Sequence, residues 1–214
     1  MDDKSLQINL RYYGISPWEI EVLYGILDDK FMVVQEETEH TNPHFVSDII
    51  ITIPVQFSEG FFKWFGFKRW EKIKSLIKEM KRRRGNRKDI QVEIIFENEE
   101  WKKIHTDDEA AERRRQNGEG PILSDKDERL PDYPHVKFVI DSSENHIFNS
   151  AIEKIDVMVE LLPYHLNHSN LAKKFCKEPM EVRYRYDIHY SKWYVGYVLT
   201  FEGGGAFSID DFRN

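Results

Sequence analysis

Arg183, Arg185, Asp187 and His189 alternate with Val182, Tyr184, Tyr186 and Ile188 in the segment EVRYRYDIHY. In an extended chain successive side chains point to opposite faces, so the four polar residues are expected to share one surface. Two guanidinium groups, a carboxylate and an imidazole can grip a phosphorylated or carboxylated substrate and move a proton, the equipment of a small hydrolase or nucleotide-processing enzyme. The same mixture also covers the wet side of an antiparallel sheet with no chemistry attached. A second concentration is cationic. From Lys63 to Lys88 there are twelve Lys and Arg against two Glu, while the rest of the chain holds 19 basic and 36 acidic residues. Lys78, Lys81, Arg82, Arg83, Arg84, Arg87 and Lys88, with Lys72 upstream, are therefore the candidate anion-binding residues. Such a cluster displaces counterions from nucleic acid or meets an acidic protein. It can equally dock on the acidic remainder of its own chain, Asp125, Asp127 and Glu128 among it. That remainder is itself a candidate surface for capping a basic protein, as toxin-immunity partners do.

Other constellations are thinner. Glu39, His40 and His44 lie close in sequence, as do His165 and His168, but neither group has an evident third ligand or the H-E-x-x-H order of a metalloprotease. No metal and no cofactor is expected. Cys176, the single cysteine, sits in KKFCKE without an orienting or oxyanion group to make it a nucleophile. Gly-rich phosphate loops and the G-x-S-x-G elbow are absent from the sequence. A non-catalytic interaction module is the reading these residues favour over an enzyme.

The lone cysteine excludes an internal disulfide framework, and MDDKSLQINL lacks the basic start and apolar run of an export signal. A cytoplasmic location is expected. The most apolar window, 45–67, contains Asp48, Pro54, Glu59 and Lys63, which rules against a membrane span. With 40% hydrophobic and 32% charged residues over 214 positions, the chain has material for a packed core and a solvated exterior.

The elements that must position these residues are legible from periodicity. Leu6, Ile8, Leu10 and Tyr12 alternate as a half-buried strand. Ser16-Pro17-Trp18-Glu19 combines an N-cap hydroxyl, a first-turn proline and a glutamate able to reach back, so a helix starts there, with a short strand after it at 31–36. The run 49–53 reads as a strand limited by Pro54. Phe61, Trp64, Phe67, Trp70, Ile73, Ile77 and Met80 then recur at helical spacing up to Gly85, as a single helix whose aromatic stripe faces the core. A strand at 90–97 completes a β-α-β-β-α-β order. A strand at 135–141, a helix from Phe148 ending at Pro163, and a hairpin of 180–190 and 192–201 form the second half, with a short edge strand after the glycines at 203–205. The expected fold is α+β: a ferredoxin-like βαββαβ half at 1–104, a polar linker or long loop at 105–134, and a βαββ half at 135–214.

Lys192 to Phe212, KWYVGYVLTFEGGGAFSIDDF, resembles the closing hairpin of WYL domains, with Trp193, Tyr194, Gly196, Tyr197 and Phe207 in comparable places. The likeness covers about a tenth of the chain. Ser208 and Asp211 stand where those domains tend to carry arginines for a nucleic-acid or nucleotide ligand, so that function is not carried over.

Overall fold

The computed structural model describes residues 6–39, 44–55, 60–85, 90–98, 135–165, 179–200 and 203–206. In chain order the elements are β1 (Gln7–Tyr13), α1 (Pro17–Leu27), β2 (Met32–Glu37), β3 (Ser47–Val55), α2 (Phe61–Phe65), α3 (Phe67–Arg84), β4 (Ile90–Asn98), β5 (His135–Ile140), α4 (Asn145–His165), β6 (Pro179–Asp187), β7 (Lys192–Thr200) and β8 (Gly203–Ala206). The α+β class is as the sequence predicts; the edge strand expected after the glycines is formed by the glycines themselves, Gly203–Ala206, where the backbone alone pairs with β7. Arg87, Lys88, the 105–134 stretch, His40, His168 and Cys176 lie outside the described residues, as do Phe207, Ser208 and Asp211.

All eight strands form one mixed sheet in the order β2-β1-β3-β4-β5-β6-β7-β8. This pairing is not that of a ferredoxin-like half. A split βαβ unit places another strand between its two parallel strands, whereas β1 pairs directly and in parallel with β2, and β3 does the same with β4. The pattern recurs a third time in β5 and β6. Three adjacent βαβ units thus stand side by side, joined by the antiparallel pairs β1/β3 and β4/β5. Element order alone could not separate these arrangements, because both contain the same succession of strands and helices. The sheet also runs unbroken across the expected boundary, since β4 and β5 flank the 105–134 stretch and are hydrogen-bonded neighbours.

The helices pack on one face. Ile8 and Leu10 of β1, Ile49, Ile51 and Ile53 of β3, Val92, Ile94 and Phe96 of β4 and Val136 and Phe138 of β5 are fully buried there. Phe61 gathers the aromatic centre, stacked on Phe65 at 4.8 Å and edge-on to Trp70 and Phe96 at 5.5 and 5.3 Å. Burying side chains of this size contributes about 1.5–3 kcal/mol each. Among the described residues no helix covers the opposite face.

The α1 start is the capping box read from sequence: the Ser16 hydroxyl accepts from the Glu19 amide at 3.4 Å, and the Glu19 carboxylate accepts from the Ser16 amide at 3.2 Å. The expected single helix 61–84 is instead α2 and α3. Gly66 breaks it with φ +96°, a conformation that an L side chain seldom adopts. The turn lets Arg69 reach back to the Phe65 carbonyl and to Asp29 after α1. On α4 the helical backbone continues through Pro163 to His165.

Candidate functional site

The cations of α3 come first, because they carry the sequence's largest electrostatic signal. In the structure α3 is the middle helix of the layer, and carboxylates from both neighbours meet it. Lys74 is only 2% exposed, and its ammonium bonds Asp156 of α4 at 2.5 Å, Glu71 at 2.6 Å and Glu153 at 3.4 Å. The Trp70 indole donates to the same Asp156 at 2.6 Å. Burial alone would depress the Lys74 pKa, but its bonds to Asp156 and Glu71 and the field of Glu153 outweigh burial and raise it. Lys78 pairs with Glu153, whose carboxyl is held below the usual range by that bond and by Lys74. Lys81 is buried at 1% exposure, its ammonium 5.7 Å from the centre of the Phe148 ring.

On the other flank Arg84 reaches α1. Its guanidinium bonds Glu19 at 3.0 and 3.2 Å, the Ser47 hydroxyl at 2.9 Å and the Met80 carbonyl at 2.9 Å. Burial opposes ionisation of Glu19, yet Arg84 and the Ser16 amide and hydroxyl hold its pKa below the ordinary carboxylate value. Arg82 and Arg83 share Glu79 at 2.6 and 2.8 Å, and these two bonds pull the Glu79 carboxyl down to about 2. Arg83 also lies 4.7 Å from the centre of the exposed Trp18 ring. Of the expected anion-binding set, Lys78, Lys81, Arg82, Arg83 and Arg84 therefore all have partners inside the chain; only Arg82 and Arg83 stand well out, with Arg82 72% exposed. Lys72 is exposed on the same helix.

The hairpin residues divide. Arg183 and Arg185 do share the uncovered face of β6, opposite the buried Val182 and Tyr184. Asp187 ends the strand, where its carboxylate accepts from the Tyr190 amide at 2.8 Å and fixes the turn. His189 is exposed inside that turn, beyond β6, rather than on the strand face. The alternation stops at Asp187 because the chain must reverse to start β7.

Around the two arginines the uncovered face has a defined layout. Lys137 of β5 pairs with Glu93 of β4, and Arg183 pairs with Glu181 while lying 5.1 Å from the centre of the Tyr197 ring. On β1, Arg11 pairs with Glu36 of β2 at 3.0 Å. Arg185 is the exception: among the described residues it has no ion pair and no hydrogen bond, only a through-space attraction to Asp141. Crowding pushes the Asp141 carboxyl above its ordinary pKa and Arg185 draws it back, although Asp141 as a residue is open to solvent, which screens both effects. The arm of Arg185 lies against Gly196, where an added Cβ would sit 3.0 Å from its Cγ and Cδ. Gly196 falls at a register irregularity: Arg183 faces Tyr197 but the next residue, Tyr184, faces Val195. A bulge of this kind re-aims the side chains beside it.

Several of these groups escaped sequence reading. Lys137 had a visible signal, an outward position in the alternating HVKFVI, and Gly196 inside a strand pattern marks a bulge or close approach. Glu153 and Asp156, three apart on α4, carry no signal until the packing of α3 against α4 is known. Among the described residues no three His, Cys, Asp or Glu side chains are placed to hold a metal ion, and no helix is long and apolar enough to cross a membrane.

Fold and site together define a class: an α+β protein whose described residues form a large sheet clad by helices on one side, with Arg11, Lys137, Arg183, Arg185, Tyr194 and Tyr197 on the other. No family model, curated protein or solved structure matches the chain.

Proposed function

We propose that this chain is a non-catalytic binding module that receives an acidic protein segment on the uncovered face of β5, β6 and β7, with Arg185 as its anchor. One observation carries the reading. Among the described residues Arg11, Lys137 and Arg183 on that face each have an ion pair within the sheet, whereas Arg185, its arm lying against Gly196, has only the through-space attraction of Asp141. An exposed guanidinium flanked by Tyr194 and Tyr197 has the composition of an interface centre, where Arg and Tyr are enriched. A discrete carboxylate suits it better than a polyanion, because Glu93, Glu181, Asp141 and Asp187 lie around the same strands and repel an extended run of phosphates.

The test is a titration of the full chain, observed by amide NMR, with a synthetic peptide carrying Asp and Glu next to aromatic residues. Shifts concentrated on β5 to β7 are expected, with Arg185→Ala weakening binding roughly 30-fold, the size of an interface hot spot. Loss of binding in Arg82→Ala/Arg83→Ala with Arg185→Ala unaffected would return the contact to α3. Preference for a single-stranded oligonucleotide, or for a basic peptide at the acidic surface, would overturn the choice of partner.

A further inference from the structure

We infer that the outer edge of β2 receives an extended polypeptide segment as a further strand, one that sets apolar side chains over Met32 and Val34 and a lysine or arginine beside Glu37. This edge lies at the opposite end of the sheet from β6 and β7, so the contact is independent of the Arg185 face. Among the described residues β2 pairs with β1 alone. The Met32 amide donates to the Leu6 carbonyl at 3.0 Å, and the Thr38 amide, just past the strand, donates to the Tyr12 carbonyl at 2.8 Å. In a parallel ladder such bonds fall on alternate residues of each strand, so the even-numbered positions of β2 face β1. Val33, Gln35 and Glu37 therefore turn their N–H and C=O groups outward, a row whose spacing matches another extended backbone.

Natural sheets blunt such an edge with proline, lysine or a bulge. The strand MVVQEE contains neither residue, and its register with β1 runs unbroken from Met32 to Glu37. Met32 and Val34 are 48% and 42% exposed, on the face away from the helices and across from Gln7 and Asn9 of β1. Beyond them the edge becomes acidic. Glu36 pairs with Arg11, whereas the exposed Glu37 and Glu39 have no ion pair among the described residues. The partner strand accordingly brings apolar side chains to one end and cations to the other. A second copy of this chain fits less well: antiparallel pairing with its β2 offers only Lys30 at the acidic end, and Lys30 already bonds the Trp64 carbonyl.

The experiment follows amide exchange and chemical shifts of the full chain by NMR during titration with a peptide of alternating valine and threonine that ends in two lysines, and with the reversed sequence. In the free chain the outward amides of Val33, Gln35 and Glu37 should exchange faster than those of Val34 and Glu36, and one order of the peptide should protect them. Glutamates in place of the lysines should weaken binding about tenfold. Gln35→Pro removes only an outward N–H, which an edge strand tolerates, and should weaken binding at least about tenfold. Val34→Lys, which installs a natural edge blocker, should do the same, with circular dichroism confirming both folds, while Arg185→Ala leaves binding unchanged. Failure of both peptides to bind, equal affinity for the glutamate peptide, or undiminished affinity in both Gln35→Pro and Val34→Lys overturns the inference. So does protection of the outward amides in the dilute free chain, or protection that rises with chain concentration alone, the mark of a second copy on the edge.

Discussion

Replacing Arg84 by Ala tests whether the basic end of α3 is an internal clamp. Arg84 has a side chain 12% exposed and Glu19 5% exposed, and their two contacts lie at 3.0 and 3.2 Å. Removing the guanidinium strands the buried Glu19 carboxylate, to which among the described residues Ser16 still donates, and takes a donor from the Gly14 and Met80 carbonyls. Stranding one member of a buried pair costs about 3–5 kcal/mol. For a chain of this size that corresponds to a fall in Tm of roughly 6–20 °C. Urea unfolding, with two probes to establish two-state behaviour, gives the free energy. The double variant Glu19→Gln/Arg84→Met, which removes both charges, should recover about 2 kcal/mol relative to additivity of the single changes. The acid side follows from the lowered folded pKa of Glu19. Its contribution is fully present above the unfolded value of 4.5 and disappears as pH falls below 4.5 through the folded value. Arg84→Ala should accordingly flatten the acid limb of the stability curve. A cost below about 1 kcal/mol, the size of a surface ion pair, would refute the clamp.

Lys74→Met should cost less at neutral pH, about 1–3 kcal/mol, because Glu71 and Glu153 are partly exposed, Glu153 keeps Lys78 and Asp156 keeps the Trp70 indole; denaturation across pH should show the deficit shrinking as these acids are protonated. In the unaltered chain the raised Lys74 pKa means that its contribution is present below 10.5 and is lost only as pH rises through the folded value. Arg82→Gln and Arg83→Gln, on exposed pairs, should each change stability by less than about 0.5 kcal/mol in the same assay. Gly66→Ala forces a Cβ into φ +96° and should cost about 1–2 kcal/mol, read by thermal unfolding. Gly196→Ala should leave the fold standing while displacing the Arg185 arm, so peptide binding falls with little change in Tm; a large loss of stability instead would mean that the bulge, not the arginine, depends on the glycine.

Much of the fold was legible because local physics decided it. The capping box at Ser16 and Glu19, the alternation in β1 and the apolar stripe of α3 each depend on neighbours within a few residues. The break at Gly66 was less so, since the apolar spacing continues through it and only the backbone twist interrupts the helix. Strand partnering was beyond reach for a different reason. Periodicity states which side chains share a face but not which strand lies alongside, so β1-α1-β2 as a direct parallel pair and as a split pair read identically. Arg183 and Arg185 were placed on one face correctly by alternation, while His189 was carried past the strand's end by extending the same period into a turn.

The charge pattern teaches the more general point. A run such as KRRR is conspicuous in one dimension, and its proximity in sequence invites the idea of one cationic surface. A helix turns each residue through about 100°, so Lys81, Arg82, Arg83 and Arg84 point in four directions. Lys81 goes inward towards Phe148, Arg84 goes sideways to Glu19, and Arg82 and Arg83 converge on Glu79. The acidic excess elsewhere in the chain is in part the complement of this helix, supplied by Glu19, Asp29, Glu153 and Asp156 from its two flanks. What distinguishes a contact residue here is therefore not local charge density but the partners the fold supplies to each cation; among the described arginines Arg185 alone has neither ion pair nor hydrogen bond, only the attraction of Asp141, and its immediate sequence holds as many carboxylates as it does arginines.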